Sequence, residues 1–335
     1  MIKYILHIAG FLALILAVGL ILFYTSNTID PLYALDKERI DSLLANRNEI
    51  EAISVGHSGN RALDFETLGL KGFHLWKGGT DFFETKFVIE IVVPLLPNLE
   101  VIFIPISPFG AFHDNSDVRS RADLRNRYYI IYEKLSHDKL INNDYRNYLL
   151  AKLAPLVRGD HWSGVYTNLG MKIKKVFSDS KKLRSPQVDK YGRLLNNKNL
   201  ILDVHDLNWG IVHIDLANQV IARNPYINED VKIVLKEIVK YCDERKIKLI
   251  FYSPPAHIKY LNTVKNIDRN DYFVRGHKFF EENFRNFGIE YYNFSYYPEI
   301  SENQDYYLDE NHLNDLGAKV FSKMLLERLE FDGPE

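Results

Sequence analysis

A short apolar run over residues 52–56 leads directly into the turn sequence His57-Ser58-Gly59-Asn60. Such a run predicts a buried strand that ends in a tight loop. The amphipathic stretch 61–70 follows at once and predicts a helix. This order places the Ser58 hydroxyl at the carboxyl end of a strand, where open α/β folds have their functional sites. The alternative is that Ser58 only caps the helix after it.

The same alternation of strand and helix continues along the chain. Apolar runs that predict four further strands lie at residues 72–77, 101–107, 248–253 and 289–294, and helical patterns lie at 36–49, 82–96, 229–245, 271–286 and 313–329. Parallel strands need crossover helices, which cover both faces of the sheet. The sequence therefore predicts an α/β fold, a three-layer α/β/α arrangement with a five-stranded parallel sheet.

Residues 108–228 interrupt this alternation and predict an insertion that is largely helical. Residues 117–135 and 144–157 have helical patterns, whereas 178–199 is polar and predicts a loop. Four arginines lie along one predicted helix, on a face that is either solvated or a docking surface for an anionic polymer or partner; they are Arg119, Arg121, Arg125 and Arg127. An insertion in this place could form a lid or a partner surface.

The N-terminus carries an apolar run over residues 5–24 that is broken only by His7. Twenty apolar residues are long enough to span a bilayer as a helix. A signal peptide is the alternative, but the small-residue cleavage site that it needs is missing. We therefore predict an uncleaved transmembrane anchor at 1–27, a short linker at 27–35, and one α/β domain over 28–335.

Composition excludes several other classes of protein. The net charge of −2 gives no reason to expect a nucleic-acid partner. The single cysteine, Cys242, excludes an internal disulfide framework and a cysteine-rich metal site. Five acidic and histidine residues match no zinc-ligand spacing, so we expect neither a metal nor a cofactor; they are Asp203, His205, Asp206, His213 and Asp215.

Near the C-terminus, Asp309 lies three residues before His312 and a helical run follows. A serine becomes a nucleophile when a base takes its proton, and the base needs a carboxylate to orient it. Asp309 and His312 can supply both groups from one turn. If the fold brings that turn to the carboxyl edge of the sheet, Ser58 gains the partners that it needs.

Gly-x-Ser after the first strand, together with Asp309-x-x-His312-x-Asn314-x-x-Gly317 before the last helix, resembles the SGNH (GDSL-type) hydrolase superfamily. The resemblance covers about residues 53–107 and 248–329, and it implies an SGNH/flavodoxin-like sheet. It also implies a catalytic triad in which Ser58 attacks an ester carbonyl, His312 carries the proton, and Asp309 orients the imidazole.

An acyl-transfer site also needs donors aimed at the oxyanion. The backbone N–H of Ser58 is one candidate, and the resemblance implies a glycine after the second strand, either Gly79 or Gly78. The superfamily normally has an asparagine after the third strand. Here that strand runs into Ser107 and Pro108, so either Ser107 takes the place of the asparagine or Asn115 reaches in.

The sequence also has His57 where the superfamily usually has an aspartate before the serine. It resembles the divergent, membrane-anchored branch that includes the teichoic-acid D-alanyl transfer protein and the alginate O-acetylation proteins. That resemblance implies an extracytoplasmic domain with O-acyltransferase or O-acyl esterase activity on a cell-envelope polysaccharide, with a multi-span membrane acyltransferase as a possible partner. The alternative is a catalytically silent scaffold that binds the polymer or the acyltransferase.

Overall fold

The structure is a computed structural model in which most of the α/β domain is described. The described residues are 2–29, 31–112, 114–117, 125, 128–129, 131–132, 135, 139–153, 226–268, 271–309 and 311–331. Most of the predicted insertion lies outside them, including the loop at 178–199 and more than half of the helix expected at 117–135, with Arg119, Arg121 and Arg127. The five residues from Asp203 to Asp215 that were weighed as metal ligands also lie outside.

The sheet has five parallel strands in the order β2-β1-β3-β4-β5. The strands are β1 (Ala52–Gly56), β2 (Gly72–Trp76), β3 (Val101–Pro105), β4 (Lys248–Ser253) and β5 (Tyr291–Asn293). This order is that of doubly wound flavodoxin-like sheets. The prediction of an α/β fold with a five-stranded parallel sheet is therefore confirmed.

The helices are α1 (Ile2–Ile29), α2 (Pro31–Asn46), α3 (Phe82–Val92), α4 (Tyr145–Leu153), α5 (Glu229–Asp243), α6 (Ile258–Ile267), α7 (Tyr272–Asn286), α8 (Pro298–Ser301) and α9 (Asp315–Phe331). The described part of the insertion includes α4. Helix α6 was not predicted. The linker expected at 27–35 was also wrong, because α2 begins at Pro31, and proline suits the first position of a helix.

Alternating side chains divide the core between the two faces of the sheet. Phe251 packs on one face with residues of α3, α5 and α7, whereas Ile250 and Tyr252 pack on the other with α9. Successive side chains of a strand point to opposite faces, so a strand buried on both sides needs apolar residues throughout. Helices therefore cover both faces of the sheet.

The helix predicted at 61–70 is wrong. A short 3₁₀ turn, Ser58–Ala62, follows β1 instead, and the chain then leaves helical geometry. The Asp64 carboxylate accepts hydrogen bonds from the backbone N–H and the hydroxyl of Thr67, and the Asp64 backbone N–H donates to Ser322 Oγ of α9 at 2.7 Å. These bonds compete with helical ones, and the contact with α9 could not be seen in a local pattern.

Strand β3 ends at Pro105, two residues earlier than predicted. On its β4 side Pro105 pairs in register with Tyr252, whereas pairing with β1 stops at Phe103. Proline has no N–H to donate, so it is tolerated where a ladder ends. The pairing between β1 and β3 therefore stops before the carboxyl ends of these strands, beside the Ser58 turn.

The N-terminal apolar run forms α1. Within the described part of the chain, no helix has the combination of length and hydrophobicity needed to cross a bilayer. The transmembrane anchor at 1–27 therefore stays a prediction.

Candidate active site

The Ser58 turn is held at the end of β1 by two special backbone positions. Gly56 has φ +126°, and a Cβ there would lie 3.3 Å from Pro105 Cδ, so a side chain is disfavoured on both counts. His57 is extended, and its Nδ1 accepts a hydrogen bond from the Gly59 N–H at 3.0 Å. The chain therefore turns sharply and leaves Ser58 lining a cavity at the carboxyl edge of the sheet.

His57 serves as the cap of this turn. Burial and the neighbouring His312 lower the pKa of His57 to about 4. The imidazole is therefore neutral at neutral pH and keeps Nδ1 free to accept from Gly59. Its role in the described structure is to shape the turn.

The second part of the site is the loop that joins the short 3₁₀ turn Gln304–Tyr306 to α9. Asp309 Oδ1 accepts hydrogen bonds from the backbone N–H groups of Asn311 and His312, at 3.1 and 2.9 Å. Tyr307 and Leu313 pair as an antiparallel bridge, which closes the loop. The carboxylate and the imidazole are thereby brought together within one turn.

Two further residues of the Asp-x-x-His-x-Asn-x-x-Gly string have structural roles. Asn314 Oδ1 accepts from the Gly317 N–H at 2.9 Å, which caps the start of α9. A Cβ on Gly317 would lie 2.2 Å from the Tyr306 carbonyl oxygen, so only glycine fits. These contacts explain why a pattern in the sequence predicts the shape of this loop.

The fold joins the two parts across 254 residues. His312 Nε2 lies 2.7 Å from Ser58 Oγ, and His312 Nδ1 lies 2.8 Å from each oxygen of Asp309. An ionised carboxylate only accepts, so the Nδ1 proton faces Asp309 and Nε2 is left to accept from the serine. The structure thus brings Ser58, His312 and Asp309 into one hydrogen-bonded chain.

Asp309 is held in the charged form. Burial alone would raise its pKa, but the hydrogen bonds and the positive charge of His312, with the two backbone N–H groups, hold the pKa of Asp309 below its ordinary value. A charged carboxylate fixes the imidazole tautomer and stabilises an imidazolium. The arrangement can therefore take a proton from Ser58 and return it.

The two candidate glycines after β2 differ in position. Gly79 has φ +73° and lines the cavity with Ser58, whereas Gly78 is exposed and lies outside the lining among the described residues. Only Gly79 is placed to face a group bound at Ser58. Ser107 also lines the cavity, at the end of β3, and its side chain makes no capping hydrogen bond.

Asn115 lies elsewhere, and the expectation that it donates directly to the oxyanion is wrong. It is fully buried, and its side-chain Nδ2 donates to the Gly79 carbonyl at 2.8 Å and to Glu84 Oε2 at 2.9 Å. An amide has two N–H donors, and both are occupied. Asn115 therefore holds the Gly79 loop from behind.

Behind this loop lies a buried ionic cluster that sequence reasoning missed. The Arg125 guanidinium contacts Asp81 at 2.7 Å, Glu84 at 3.0 Å and Asp114 at 2.6 Å. Arg125 is fully buried, so its assignment to a solvated or docking face is wrong. Asp81 and Glu84 also form the reciprocal cap of α3, and the Asp81-x-x-Glu84 spacing was the available signal.

The charges in this cluster are unequal, with three carboxylates around one guanidinium. Burial and the neighbouring Asp81 raise the pKa of Glu84 above its ordinary value, although Arg125 opposes the shift. Arg125 and the hydrogen bonds from Ser116 and Asn142 outweigh burial and hold the pKa of Asp114 below its usual value. The cluster joins the start of the insertion to the N-terminus of α3, directly behind Gly79.

The cavity has a volume of about 200 Å³ and runs along the carboxyl edge of the whole sheet. Loops that follow all five strands contribute to its lining. Among the described lining residues, the carboxyl and imidazole groups are those of Asp81, His57 and His312, and Asp81 is paired with Arg125. Among the described residues, no group of three or more metal-binding side chains is found.

Comparison with known proteins identifies no relative of this chain. No protein-family model, no curated protein and no solved structure matches the chain. The resemblance to the SGNH superfamily therefore rests on the motifs in the sequence, and the functional conclusion rests on the chemistry of the site.

Proposed function

We propose that this chain is a serine-dependent enzyme of acyl-ester chemistry, with Ser58 as nucleophile, His312 as general base and acid, and Asp309 as the orienting carboxylate. The observation that carries the proposal is the continuous hydrogen-bonded chain from Ser58 Oγ through His312 to Asp309. Distances of 2.7 and 2.8 Å fall within the reach that proton transfer needs.

The geometry supports an ordinary two-step acyl transfer. Ser58 Oγ attacks the ester carbonyl while its proton passes to His312 Nε2, and Asp309 stabilises the imidazolium. The backbone N–H groups of Ser58 and Gly79 are the candidates for holding the oxyanion. His312 then gives its proton to the leaving alcohol, and the acyl group stays on Ser58 as an ester.

The acyl-enzyme is then resolved by water or by a second hydroxyl group. Hydrolysis makes the protein an O-acyl esterase, and attack by a sugar hydroxyl makes it an O-acyltransferase. Following the sequence resemblance, we place the substrate among cell-envelope polysaccharides, with the domain outside the cytoplasm on an N-terminal anchor. A multi-span membrane acyltransferase is then the expected partner for delivery of the acyl group.

A second candidate is a catalytically silent scaffold that binds the polymer or the acyltransferase. The observation that favours it is the position of Asn115, whose amide is committed to Gly79 and Glu84. The site then lacks the side-chain donor that the superfamily has after its third strand. Loss of one oxyanion donor costs about 10²–10³ in turnover, so slow ester turnover is expected even if the triad is competent.

The test is covalent labelling of the full-length protein by a fluorophosphonate, together with turnover of p-nitrophenyl acetate. Wild-type protein should be labelled and should turn over the ester. Both signals should be lost in Ser58→Ala, and both should fall strongly in His312→Ala, because the alcohol then has no base. Ser42→Ala is the matched control, because Ser42 lies on α2 outside the cavity.

The two candidate functions predict different results. Labelling of wild type and Ser42→Ala but not of Ser58→Ala supports the enzyme. Absence of labelling in wild-type protein that unfolds cooperatively would contradict the enzyme and support the silent scaffold.

A further inference from the structure

A second serine–histidine pair lies at the far end of the same cavity. Ser295, just after β5, lines the cavity, and its Oγ lies 3.1 Å from His277 Nε2 and 2.8 Å from Asn293 Oδ1. His277 is on α7 and is buried, with 8% of the residue exposed. The pair has no role in the acyl transfer proposed above.

A relay of hydrogen bonds extends behind His277. His277 Nδ1 lies 3.0 Å from the Tyr291 hydroxyl, which makes a short hydrogen bond with Ser253 Oγ. The Ser253 hydroxyl lies 3.1 Å from the Ile106 carbonyl oxygen. Every side chain in this relay has a partner, so the imidazole is fixed in place.

Counting protons shows what this end of the cavity offers to a ligand. The Ser253 hydroxyl donates to the Ile106 carbonyl, so Tyr291 donates to Ser253 and accepts from His277, which leaves Nε2 as an acceptor. The Ser295 proton therefore goes to Nε2 or to Asn293. In both cases the single Ser295 proton is used inside the protein. Its oxygen therefore faces the cavity as an acceptor, and the ligand must donate.

The charge of the lining indicates which donor fits. Asp81 and His312 are lining residues near the other end, whereas Ser253, Ser295 and their apolar neighbours form this end. Burial lowers the pKa of His277 to about 4, so the imidazole is neutral at neutral pH. A neutral hydroxyl suits this surface better than an ammonium group, because none of the described residues that line this end of the cavity carries a carboxylate.

Aromatic rings lie beside the polar end. Phe273 packs edge-on against His277, with ring centres 4.7 Å apart, and against Phe109 at 6.1 Å. Tyr260 also lines this part of the cavity. A sugar ring has an apolar face of C–H groups and an edge of hydroxyl groups, so it matches a wall that is aromatic in one part and hydrogen-bonding in the next.

The distance from Ser58 indicates which part of the substrate binds here. In the strand order, β5 is three neighbours away from β1. Neighbouring strands are about 4.8 Å apart, so the two ends of the cavity are separated by about 14 Å. Ser295 is therefore too far away to contact an ester held at Ser58, but it can contact the part of the molecule beyond it.

We propose that Ser295, held in place by His277, forms a hydroxyl-binding subsite for a sugar portion of the substrate. This inference rests on the proposed function, because it takes the ester to be bound at Ser58. Ser295 is a specificity-determining residue here, and His277 is a positioning residue.

The first test measures binding without turnover. Methyl β-D-glucopyranoside is titrated into full-length Ser58→Ala protein and followed by ligand-observed NMR. Adding Ser295→Ala should weaken binding about 5- to 10-fold, the loss expected for one hydrogen bond. Adding Ser295→Thr instead should keep binding within about twofold, because the hydroxyl is retained.

The second test measures selectivity. We compare kcat/KM for methyl 6-O-acetyl-β-D-glucopyranoside with kcat/KM for ethyl acetate, which has no sugar. The ratio should fall about 5- to 10-fold in Ser295→Ala and recover in Ser295→Thr. The fall should be mainly in KM, because the lost bond is remote from the reacting atoms.

Three results would overturn the subsite: glucoside binding that is unchanged by Ser295→Ala, equal losses in the alanine and threonine variants, or an unchanged selectivity ratio. Circular dichroism of each variant shows whether a loss comes from misfolding. If Ser58 is not labelled by the fluorophosphonate, the proposed function fails, whereas the glucoside titration still tests the subsite by itself.

Discussion

Two serine–histidine pairs contribute to the same cavity, through Ser58 and His312 in one pair and through Ser295 in the other, and the group behind each imidazole differs. Behind His312 is the Asp309 carboxylate, in a loop that is partly open to solvent, whereas behind His277 is the neutral hydroxyl of Tyr291 in a buried relay. An imidazole becomes a useful base when its protonated form is stabilised. The similar Ser–His distances, 2.7 and 3.1 Å, therefore have different chemical consequences.

The largest expected effect comes from removing the charge behind His312. Asp309→Asn keeps the size of the side chain but donates to Nδ1 where the carboxylate accepted, which favours the wrong tautomer. We expect kcat for p-nitrophenyl acetate to fall by about 10⁴. Steady-state kinetics of wild type and variant measure this, and a loss below tenfold would show that Asp309 is not the orienting group.

The next effect concerns the titration of the second imidazole. In the unfolded chain His277 takes up a proton near its ordinary pKa of 6.5, but in the folded protein it does so only near pH 4. The unfolded state therefore binds more protons between these values, and stability is lost as pH falls through this window. His277→Gln removes the contribution of this protonation to the pH dependence of stability.

We therefore expect the stability advantage of wild type over His277→Gln to shrink by roughly 3 kcal/mol between pH 6.5 and pH 4. Urea unfolding of both proteins across this range gives the difference. His57 titrates in the same window, but it is present in both proteins and cancels. A difference that does not change with pH would show that His277 is accessible to protons in the folded state.

The third effect distinguishes Gly79 from Gly78, the two candidate glycines that follow β2. Gly79→Ala puts a side chain at φ +73° and disturbs the loop that faces the nucleophile, so we expect a loss of about 10² in kcat. Gly78→Ala is the matched control, because a Cβ at Gly78 meets no atom within 4 Å among the described residues. Equal effects of the two variants would remove Gly79 from the site.

The smallest effect is expected at Tyr291. Tyr291→Phe leaves His277 Nδ1 and Ser253 Oγ without the hydroxyl between them, which should cost about 1–2 kcal/mol of unfolding free energy. Turnover of p-nitrophenyl acetate should fall by no more than about threefold. A loss that approaches that of Asp309→Asn would mean that the two pairs share a catalytic role.

Local sequence patterns predicted the elements whose structure is determined by their own residues. The bounds of β1 and β4 match the prediction, and both strands are mostly apolar, as a buried parallel strand requires. The arrangement of Asp309 and His312 was predictable for a similar reason, since the loop is closed by contacts within its own few residues.

Features that depend on distant contacts were not predictable in the same way. The bond from Asp64 to Ser322 replaces the helix expected at 61–70, and the partners of Asn115 lie in α3 and in the β2 loop. The His277 relay joins residues from β4, α7, β5 and the loop after it. Each of these residues is ordinary in its own stretch of sequence, so only the fold gives it a role.

The bond from Asn115 to the Gly79 carbonyl has a consequence for how this protein could be shortened or recombined. Asn115 lies within the insertion, yet it fixes a glycine in the loop that follows β2. A chain that joined β3 directly to α5 would keep Ser58, His312 and Asp309 but would lose the support of the loop opposite them. The insertion and the sheet are therefore not independent modules, and a transplanted α/β sheet would need the residues of the insertion that hold Gly79.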